Sequence, residues 1–564
     1  MLRPCNDSLP TAFRQTFFTC QLQLLQDKLQ KKHNKLQSVE HKKLERTFMV
    51  KPHEKLADSL KQLKAVQDKG RQVFKSREFS RTHLERLVSN GFLSEVVKGW
   101  YVLTRPDDNG GDSTAWYASF FEFVAAYCNI RFGQEWHLSP EASLMHYAGN
   151  RLIPRQLLVY AKKGKNNSLQ LKFETSIFDY QSKNLANPED IVEENGLKLL
   201  CIEAALIQAS PSLFTEKSMD MQIVLSRVKD VSEILAKLLE GGQSVVAGRV
   251  AGAFRAIGRA DDADRITRTM KSSGYSIYEL NPFDRPVSAH SKMSGSPCAL
   301  RVKLLWEKLR PTVLATFPKA PSTPMTLDAY MTDINDRHVE DAYHSLSIEG
   351  YQISEKLIAK IAAGVWDPAN SEADKNDRNA LAAKGYHAAF EEVRSSVKRI
   401  LENKEPGSVI RHDHHDWYMQ LFGPSVRAGL LEAKNLAGYR TWPTFVRNSR
   451  YVPPAHASAR DAMPVLFDLI SNEPEPAVRA VLGHFVFVYL HPYGDGNGRM
   501  ARFLMNAMLA SGGYPWSVIK VQDRAVYMAA LEQASVHGNI QPFAEFVADC
   551  VSQQMLKAKV LPAL

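Results

Sequence analysis

Two apolar segments, "PAVRAVLGHFVFVYL" (476–490) and "RMARFLMNAMLASGG" (499–513), are separated by only eight residues, "HPYGDGNG" (491–498). In the first, Val478, Val481, Leu482, Phe485 and Tyr489 recur at helical spacing, so the segment reads as a buried helix. His484 within it reads as a core histidine. The second is stopped by Gly512-Gly513 and reads as another buried helix. The eight residues therefore join two buried helices, and their end forms the N-terminus of the second. The turn between them is free to carry chemistry.

Its composition suits a polyphosphate. The N–H groups at a helix N-terminus lack intrahelical partners and the macrodipole there is positive, so an anion binds naturally. Gly496 and Gly498 let the backbone approach phosphate oxygens. Asn497 can donate an amide hydrogen bond to the same anion. Arg499 and Arg502 lie three apart on one helix face and can grip it together. Asp495 would be repelled by phosphate and fits a Mg²⁺ ligand instead. His491, at the end of the first helix, is suited to remove a proton from a hydroxyl. A base, a metal ligand and an anion cradle together describe nucleotidyl transfer. A plain interhelical turn is the weaker reading of the same residues.

"HPYGDGNGRMAR" (491–502) resembles the signature of the Fic family, HxFx(D/E)GNGRxxR, with Tyr493 where the family usually has Phe. "LAGYR" (436–440), "YVPP" (451–454), "RAVYMAALEQAS" (524–535) and "PFAEFV" (542–547) are similar to the surrounding family pattern. The likeness spans roughly residues 300–560. It implies an all-α Fic fold with a small β-hairpin flap between Tyr439 and Tyr451 that docks a target segment by strand addition. It also implies protein adenylyltransferase activity. His491 would deprotonate a Tyr, Thr or Ser hydroxyl, which takes AMP from ATP, the target being another protein or the chain itself. By the same likeness Asp495 holds Mg²⁺, while Gly496, Asn497, Gly498 and Arg499 line the phosphate loop. Arg502 would hold the γ-phosphate, with Tyr527 and Ser535 near the base. The hydroxyl of Tyr493 then needs a partner of its own.

Upstream, "EDAYHSLSIEGYQIS" reads as a helix ending at Gly350, with Ser354 capping the next. Ser345 and Glu349 share a face. On its own such a pair reads as an ordinary last turn. Beside a Fic-like core, Ser345, Glu349 and Gly350 resemble the inhibitory motif (S/T)xxxE(G/N) of the intramolecularly inhibited class. Glu349 would occupy Arg502, whose fork cannot serve a carboxylate and a γ-phosphate fully at once.

The length of 564 residues predicts several domains. The fold class expected is multidomain and mainly α. Residues 1–48 form a basic extension, either a weak coiled coil or a segment ahead of an ordinary start at Met49. Residues 49–105 read as a winged helix-turn-helix: a helix Glu54–Gln67, a short element Gln72–Phe79 and a helix capped by Ser80. A ribbon, Phe92–Val97 and Trp100–Leu103, turns at Lys98-Gly99. Arg81, Thr82, His83 and Arg86 would face DNA, with Lys98 on the wing; a protein contact is the alternative. The pattern ending in "VKGWYVL" also resembles AbiEi-like antitoxin regulators. Residues 113–280 read as an α+β middle domain, with "LKLLCIEAALIQA" among its helices, and 281–299 as a linker. Residues 300–564 form the Fic domain with its inhibitory helix.

The net charge of +10 reads first as a basic surface that keeps the protein soluble, with attraction to a polyanionic partner as the alternative. Six scattered cysteines without a CxxC pair argue against a zinc cluster or a disulfide framework. With no secretory leader and no long apolar run, a cytoplasmic protein without a membrane span is expected, its oligomeric state left open. "RHDHHDW" (411–417) resembles a metal site only in composition. The competing function is a DNA-binding regulator or antitoxin-like protein that uses the Fic half as a nucleotide-responsive switch.

Overall fold

The computed structural model describes residues 52–67, 70–106, 112–284, 296–364 and 378–560. The expected extension 1–48 and most of the expected linker lie outside them. The described chain forms two compact units. One holds the residues up to Ser143, Ile153–Ala209 and Phe445–Ser449; the other holds Leu144–Leu152, Ser210–Thr444 and the residues from Arg450 on. This division cuts across the expected middle segment 113–280.

The first unit begins with α1 (Pro52–Val66), β1 (Val73–Lys75), a 3₁₀ turn (Ser76–Glu78), α2 (Arg81–Ser89), β2 (Leu93–Val97) and β3 (Trp100–Leu103). The three strands pair antiparallel in the order β1-β3-β2. The short element expected at Gln72–Phe79 is therefore a strand plus one 3₁₀ turn. Phe74 and Val73 are buried by pairing with Tyr101 and Val102, which an isolated helical turn would not achieve. Leu60, Leu63, Phe79, Leu87 and Phe92 close the small core. Ser80 caps α2 as expected, its hydroxyl accepting from the His83 N–H.

Next come α3 (Thr114–Phe132), β4 (Trp136–Leu138) and α4 (Pro140–Tyr147), whose last turn belongs to the second unit. Strands β5 (Gln156–Ala161), β6 (Asn167–Gln170) and β7 (Ser176–Gln181) join β4 in a sheet of order β4-β5-β7-β6. A hairpin, β8 (Ile191–Glu194) and β9 (Leu197–Leu200), leads into α5 (Ile202–Gln208). "LKLLCIEAALIQA" is thus half strand and half helix. All four residues of β9 are buried, so it shows no one-sided period that separates it from a helix.

The second unit is helical. It contains α6 (Leu213–Glu216), α7 (Ser218–Arg227), α8 (Ser232–Glu240), α9 (Ser244–Ala256), α10 (Ala260–Ser272), α11 (Pro297–Thr316), α12 (Leu327–Ile348) and α13 (Glu355–Ala362). There follow α14 (Arg378–Leu401), α15 (Pro406–Arg427), α16 (His456–Asn472), α17 (Pro476–Leu490), α18 (Asn497–Ala510), α19 (Arg524–His537) and α20 (Gln541–Val560). Buried Arg301 of α11 reaches Asp220 of α7 at 2.5 Å and the Ala148 carbonyl at 2.8 Å, which ties the preceding helices to this unit.

α17 and α18 lie at the centre, as their composition requires. Twelve of the fifteen residues of α17 and thirteen of the fourteen of α18 are buried, so polar groups here must find partners inside the protein. The hairpin flap expected between Tyr439 and Tyr451 is not formed: this stretch holds no strand, only a single bridge from Tyr451 to Leu152. Its end groups are committed elsewhere. Arg440 N–H donates to the Pro492 carbonyl, Val452 N–H donates to the Arg151 carbonyl, and Asn448 turns the chain at φ 56°.

Candidate active site

α17 ends on His491, whose backbone is left-handed at φ 50° and ψ 57°. For a residue with a Cβ this costs roughly 1–3 kcal/mol and persists only where the surroundings impose it. The conformation swings the chain away from the helix axis and leaves the imidazole at the mouth of the loop, half-buried. Nδ1 lies 3.3 Å from the Val488 carbonyl. A carbonyl only accepts, so Nδ1 carries the proton and Nε2 is left with its lone pair. Burial, the largest cause, pushes the imidazole down to about 4 with the Arg440 charge adding to the fall, while the Val488 hydrogen bond and the Glu349 and Asp495 charges oppose it. His491 is therefore a neutral base at ordinary pH.

The loop is stapled from within. Tyr493 N–H donates to Asn497 Oδ1 at 2.9 Å, and Asn497 Nδ2 donates to the Tyr493 carbonyl at 2.9 Å. The amide expected to point at an anion is spent instead on this reciprocal pair. The reason is its 2% exposure, which obliges both ends of the amide to be satisfied locally. Tyr493 stacks on Tyr418 with ring centroids 3.9 Å apart, and its hydroxyl meets His415 Nδ1 at 2.9 Å. The extra oxygen has its partner. Gly496, at φ 78°, needs its missing side chain: a Cβ there would come within 2.8 Å of the Phe422 ring.

α18 starts at Asn497, with Arg499 and Arg502 both buried below it. The Arg499 guanidinium sits between the rings of Tyr351 and Phe422, 5.3 and 5.0 Å from their centroids, and its Nη2 reaches Asp495 Oδ1 at 3.3 Å. Arg502 donates from Nε to Ser345 Oγ at 2.9 Å, and from Nη2 to the Ser345 carbonyl at 3.1 Å and Glu349 Oε1 at 2.7 Å. Each of these two arginines keeps one buried donor with no hydrogen-bond partner among the described residues, Arg499 Nε and Arg502 Nη1. A buried donor left unmet is costly and can take an acceptor.

Glu349 caps the end of α12, and Gly350 turns the chain at φ 87°. A Cβ on Gly498 would lie 2.5 Å from Glu349 Oε1, so the carboxylate rests directly on the first turn of α18. It takes the position that suits an anion at a positive helix end. The role of Gly498 is to leave that space open.

Asp495 is exposed and offers one carboxylate; both of its hydrogen bonds, from Gly496 N–H and Arg499, end on Oδ1. Among the described residues there is no group of three metal-ligating side chains, and the histidines of 411–417 are engaged singly. His412 meets Asp413, His414 meets Tyr439, and His415 meets Tyr493.

Tyr527 lies against this centre, buried, its hydroxyl 2.9 Å from His484 Nε2. Burial raises the Tyr527 phenol while the nearby Arg502 charge opposes the rise. Ser535, two turns further along α19, is half-buried and joins no hydrogen bond with these groups. Elsewhere, in the first unit, Arg81 and Thr82 face outward at the start of α2, Arg81 pairing with Glu85, and Lys98 is exposed at the ribbon turn. His83 and Arg86 turn back onto α1: His83 Nδ1 meets Ser59 Oγ, and Arg86 bonds Ser59 Oγ and the Lys55 carbonyl.

Sequence reasoning missed Tyr351 and Phe422, weighed His415 only within the metal-like cluster 411–417, and gave Arg440 no role. Only the tail of "LAGYR" hinted at the last.

Residues 411–509 match the Fic/DOC family model. The chain is similar to protein adenylyltransferase Fic of Nematostella vectensis, 34% identical over 225 residues that make 39% of this chain and 48% of that protein. It is also similar to protein adenylyltransferase fic-1 of Caenorhabditis elegans, 28% identical over 211 residues, 36% of this chain and 38% of that protein. The chain spans at most about half the length of the curated relatives it matches. The solved structure of Fic-1 residues 134–508 from C. elegans overlays 63% of this chain and 90% of that one, at 17% identity and a TM-score of 0.33. No helix among the described residues is long and apolar enough to cross a membrane.

Proposed function

We propose that the helical unit transfers AMP from ATP to a Tyr, Thr or Ser hydroxyl of a protein, the chain itself included, and that Glu349 holds this activity back. The observation that supports it most is the pairing, within one twelve-residue segment, of a neutral base with two buried arginines that each keep an unmet donor. The target oxygen attacks the α-phosphorus of ATP as its proton passes to His491 Nε2. The bond from that phosphorus to the pyrophosphate oxygen breaks, and AMP stays on the target. The first turn of α18 and Arg499 would steady the phosphates, and Arg502 the γ-phosphate.

Asp495 fits Mg²⁺ as a single accessible carboxylate whose Oδ2 accepts no hydrogen bond, since this ion takes most of its shell from water and phosphates. When bound, the ion would neutralise charge on the triphosphate. While Glu349 occupies Arg502, that guanidinium is not free for phosphate, and the resting chain is largely off. The test is label transfer by the Glu349→Gly chain: α-labelled ATP should mark protein and γ-labelled ATP should not.

We infer a second activity for the first unit, contact with DNA through Arg81, Thr82 and Lys98. The exposure of these residues at a capped helix start and on a ribbon turn supports it. His83 and Arg86 then serve the α1–α2 packing instead. Filter binding should show affinity that falls steeply with salt; no binding at low salt would remove this part. It would also leave the nucleotide-responsive DNA regulator without support.

A further inference from the structure

Arg440 lies fifty-one positions before His491 and is 1% exposed. Among the described residues no carboxylate pairs with it. Every bond of its guanidinium ends on a main-chain carbonyl: Nε on His491 at 2.7 Å, Nη1 on Trp442 at 2.9 Å and Nη2 on Pro454 at 2.6 Å. Its own N–H donates to the Pro492 carbonyl at 2.9 Å. One residue thus grips two successive carbonyls at the point where α17 breaks into the left-handed conformation of His491.

We propose that Arg440 is the positioning residue for the base, fixing the His491 backbone so that Nε2 faces the incoming hydroxyl. This rests on the adenylyl-transfer reading above.

Three observations carry it. His491 has a backbone conformation that its side chain does not favour, so something must hold it. Its N–H is used within the helix, to the Phe487 carbonyl, and its carbonyl is held by Arg440. The third is the position of the charge, at the negative end of α17, where a cation is tolerated without a carboxylate. A planar fork with donors in fixed directions is what three divergent carbonyls require, and a lysine cannot reproduce it. The same strand of chain steadies the far side of the loop, where the Trp442 ring fills the space a Cβ on Gly494 would need.

Arg440 also adds to the lowering of the base that burial mainly causes. The charged groups facing His491 are Arg440, Glu349 and Asp495, and only Arg440 lowers its proton affinity. Arg440 itself is pulled down to about 10 by burial, with Arg151 adding to the fall and Tyr451 and Cys298 opposing it. His456 also feels its charge.

The experiment compares Arg440→Lys and Arg440→Met with the parent in the full chain. In the Glu349→Gly background, the turnover for AMP transfer should fall roughly 100-fold in both, as expected for a misplaced base. ATP binding, measured at equilibrium, should stay within about threefold. In the chain with Glu349 intact, histidine hydrogen-exchange mass spectrometry across pH should show the His491 pKa rising in Arg440→Met and staying low in Arg440→Lys, which keeps the charge. Turnover within about threefold of the parent would overturn the proposal, as would ATP binding that weakens in step with turnover. An unmoved His491 in Arg440→Met would overturn it too. Should Arg440→Met not fold, the turnover and binding of Arg440→Lys decide the matter. If the Glu349→Gly parent itself transfers no AMP, the activity reading fails, and the exchange measurement still decides whether Arg440 governs His491.

Discussion

Glu349 and Arg502, 153 positions apart in the chain, share a hydrogen bond of 2.7 Å at the first turn of α18. The arginine side chain is 4% exposed and the glutamate 28%, so solvent screens the pair only partly. Removing Glu349 takes away the carboxylate that Arg502 pairs with, and a buried charge that loses its partner destabilises the fold. Glu349→Gly should therefore lower the melting temperature without nucleotide. ATP at saturating concentration should raise it more in the variant than in the parent, because ligand binding adds stability according to affinity. Thermal unfolding with and without ATP checks both. An equal ATP shift in the two chains would deny competition for Arg502.

The Asn497 staple makes a separate prediction. Asn497→Ala leaves the Tyr493 N–H and carbonyl buried without their bonds, at about 1–3 kcal/mol for each unmet group. The variant should lose stability on that scale in denaturant unfolding and should bind ATP more weakly. Weaker binding with unchanged stability would mean the amide touches the anion after all.

Tyr493→Phe removes only the oxygen that meets His415 Nδ1. The ring remains stacked on Tyr418. Equilibrium unfolding should show a loss of about 1 kcal/mol, the usual net worth of one hydrogen bond, with AMP transfer retained. His415→Leu should cost a similar amount, and the double variant little more than either alone.

Acid sensitivity follows from the buried histidines. Burial pushes His491 and His338 down to about 4, and His414 and His484 down to about 3. Each binds its proton near pH 6.5 when unfolded, so between that pH and the folded value the unfolded chain holds more protons. Stability must then fall as pH drops from about 6.5 towards 4. Asp341, raised by burial to about 6, works the other way, since its folded form keeps a proton that the unfolded form has lost. Four histidines outweigh one carboxyl. The melting temperature should drop steeply over that window and stay level above it, and transfer by His491 should hold level down to about pH 5.

How much of this was legible follows from the kind of signal each residue carries. The helices around 491–498 were readable because composition and period both report burial. The pairing of Ser345, Glu349 and Arg502 was readable only through a resemblance, since nothing local joins positions so far apart. Asn497 shows the limit of spacing arguments: its place in the loop is legible, but the direction of its amide depends on which backbone groups lack partners. Arg440 shows it again, because a lone arginine before Trp442 looks like surface until α17 is placed beside it. The flap was expected as a hairpin, yet the backbone groups at its ends bond to Pro492 and Arg151. In the first unit, His83 and Arg86 have the composition of a DNA-reading face and the geometry of a helix-packing contact.

On the proposed reading, His491 transfers AMP once Glu349 has left Arg502. Mass spectrometry of the chain after incubation with ATP and Mg²⁺ tests it directly, in the parent, in Glu349→Gly and in Glu349→Gly combined with His491→Ala. Glu349→Gly should gain AMP on a hydroxyl residue, the parent far less, and the double variant none. AMP on the double variant, or none on Glu349→Gly together with none on any added protein, would contradict it.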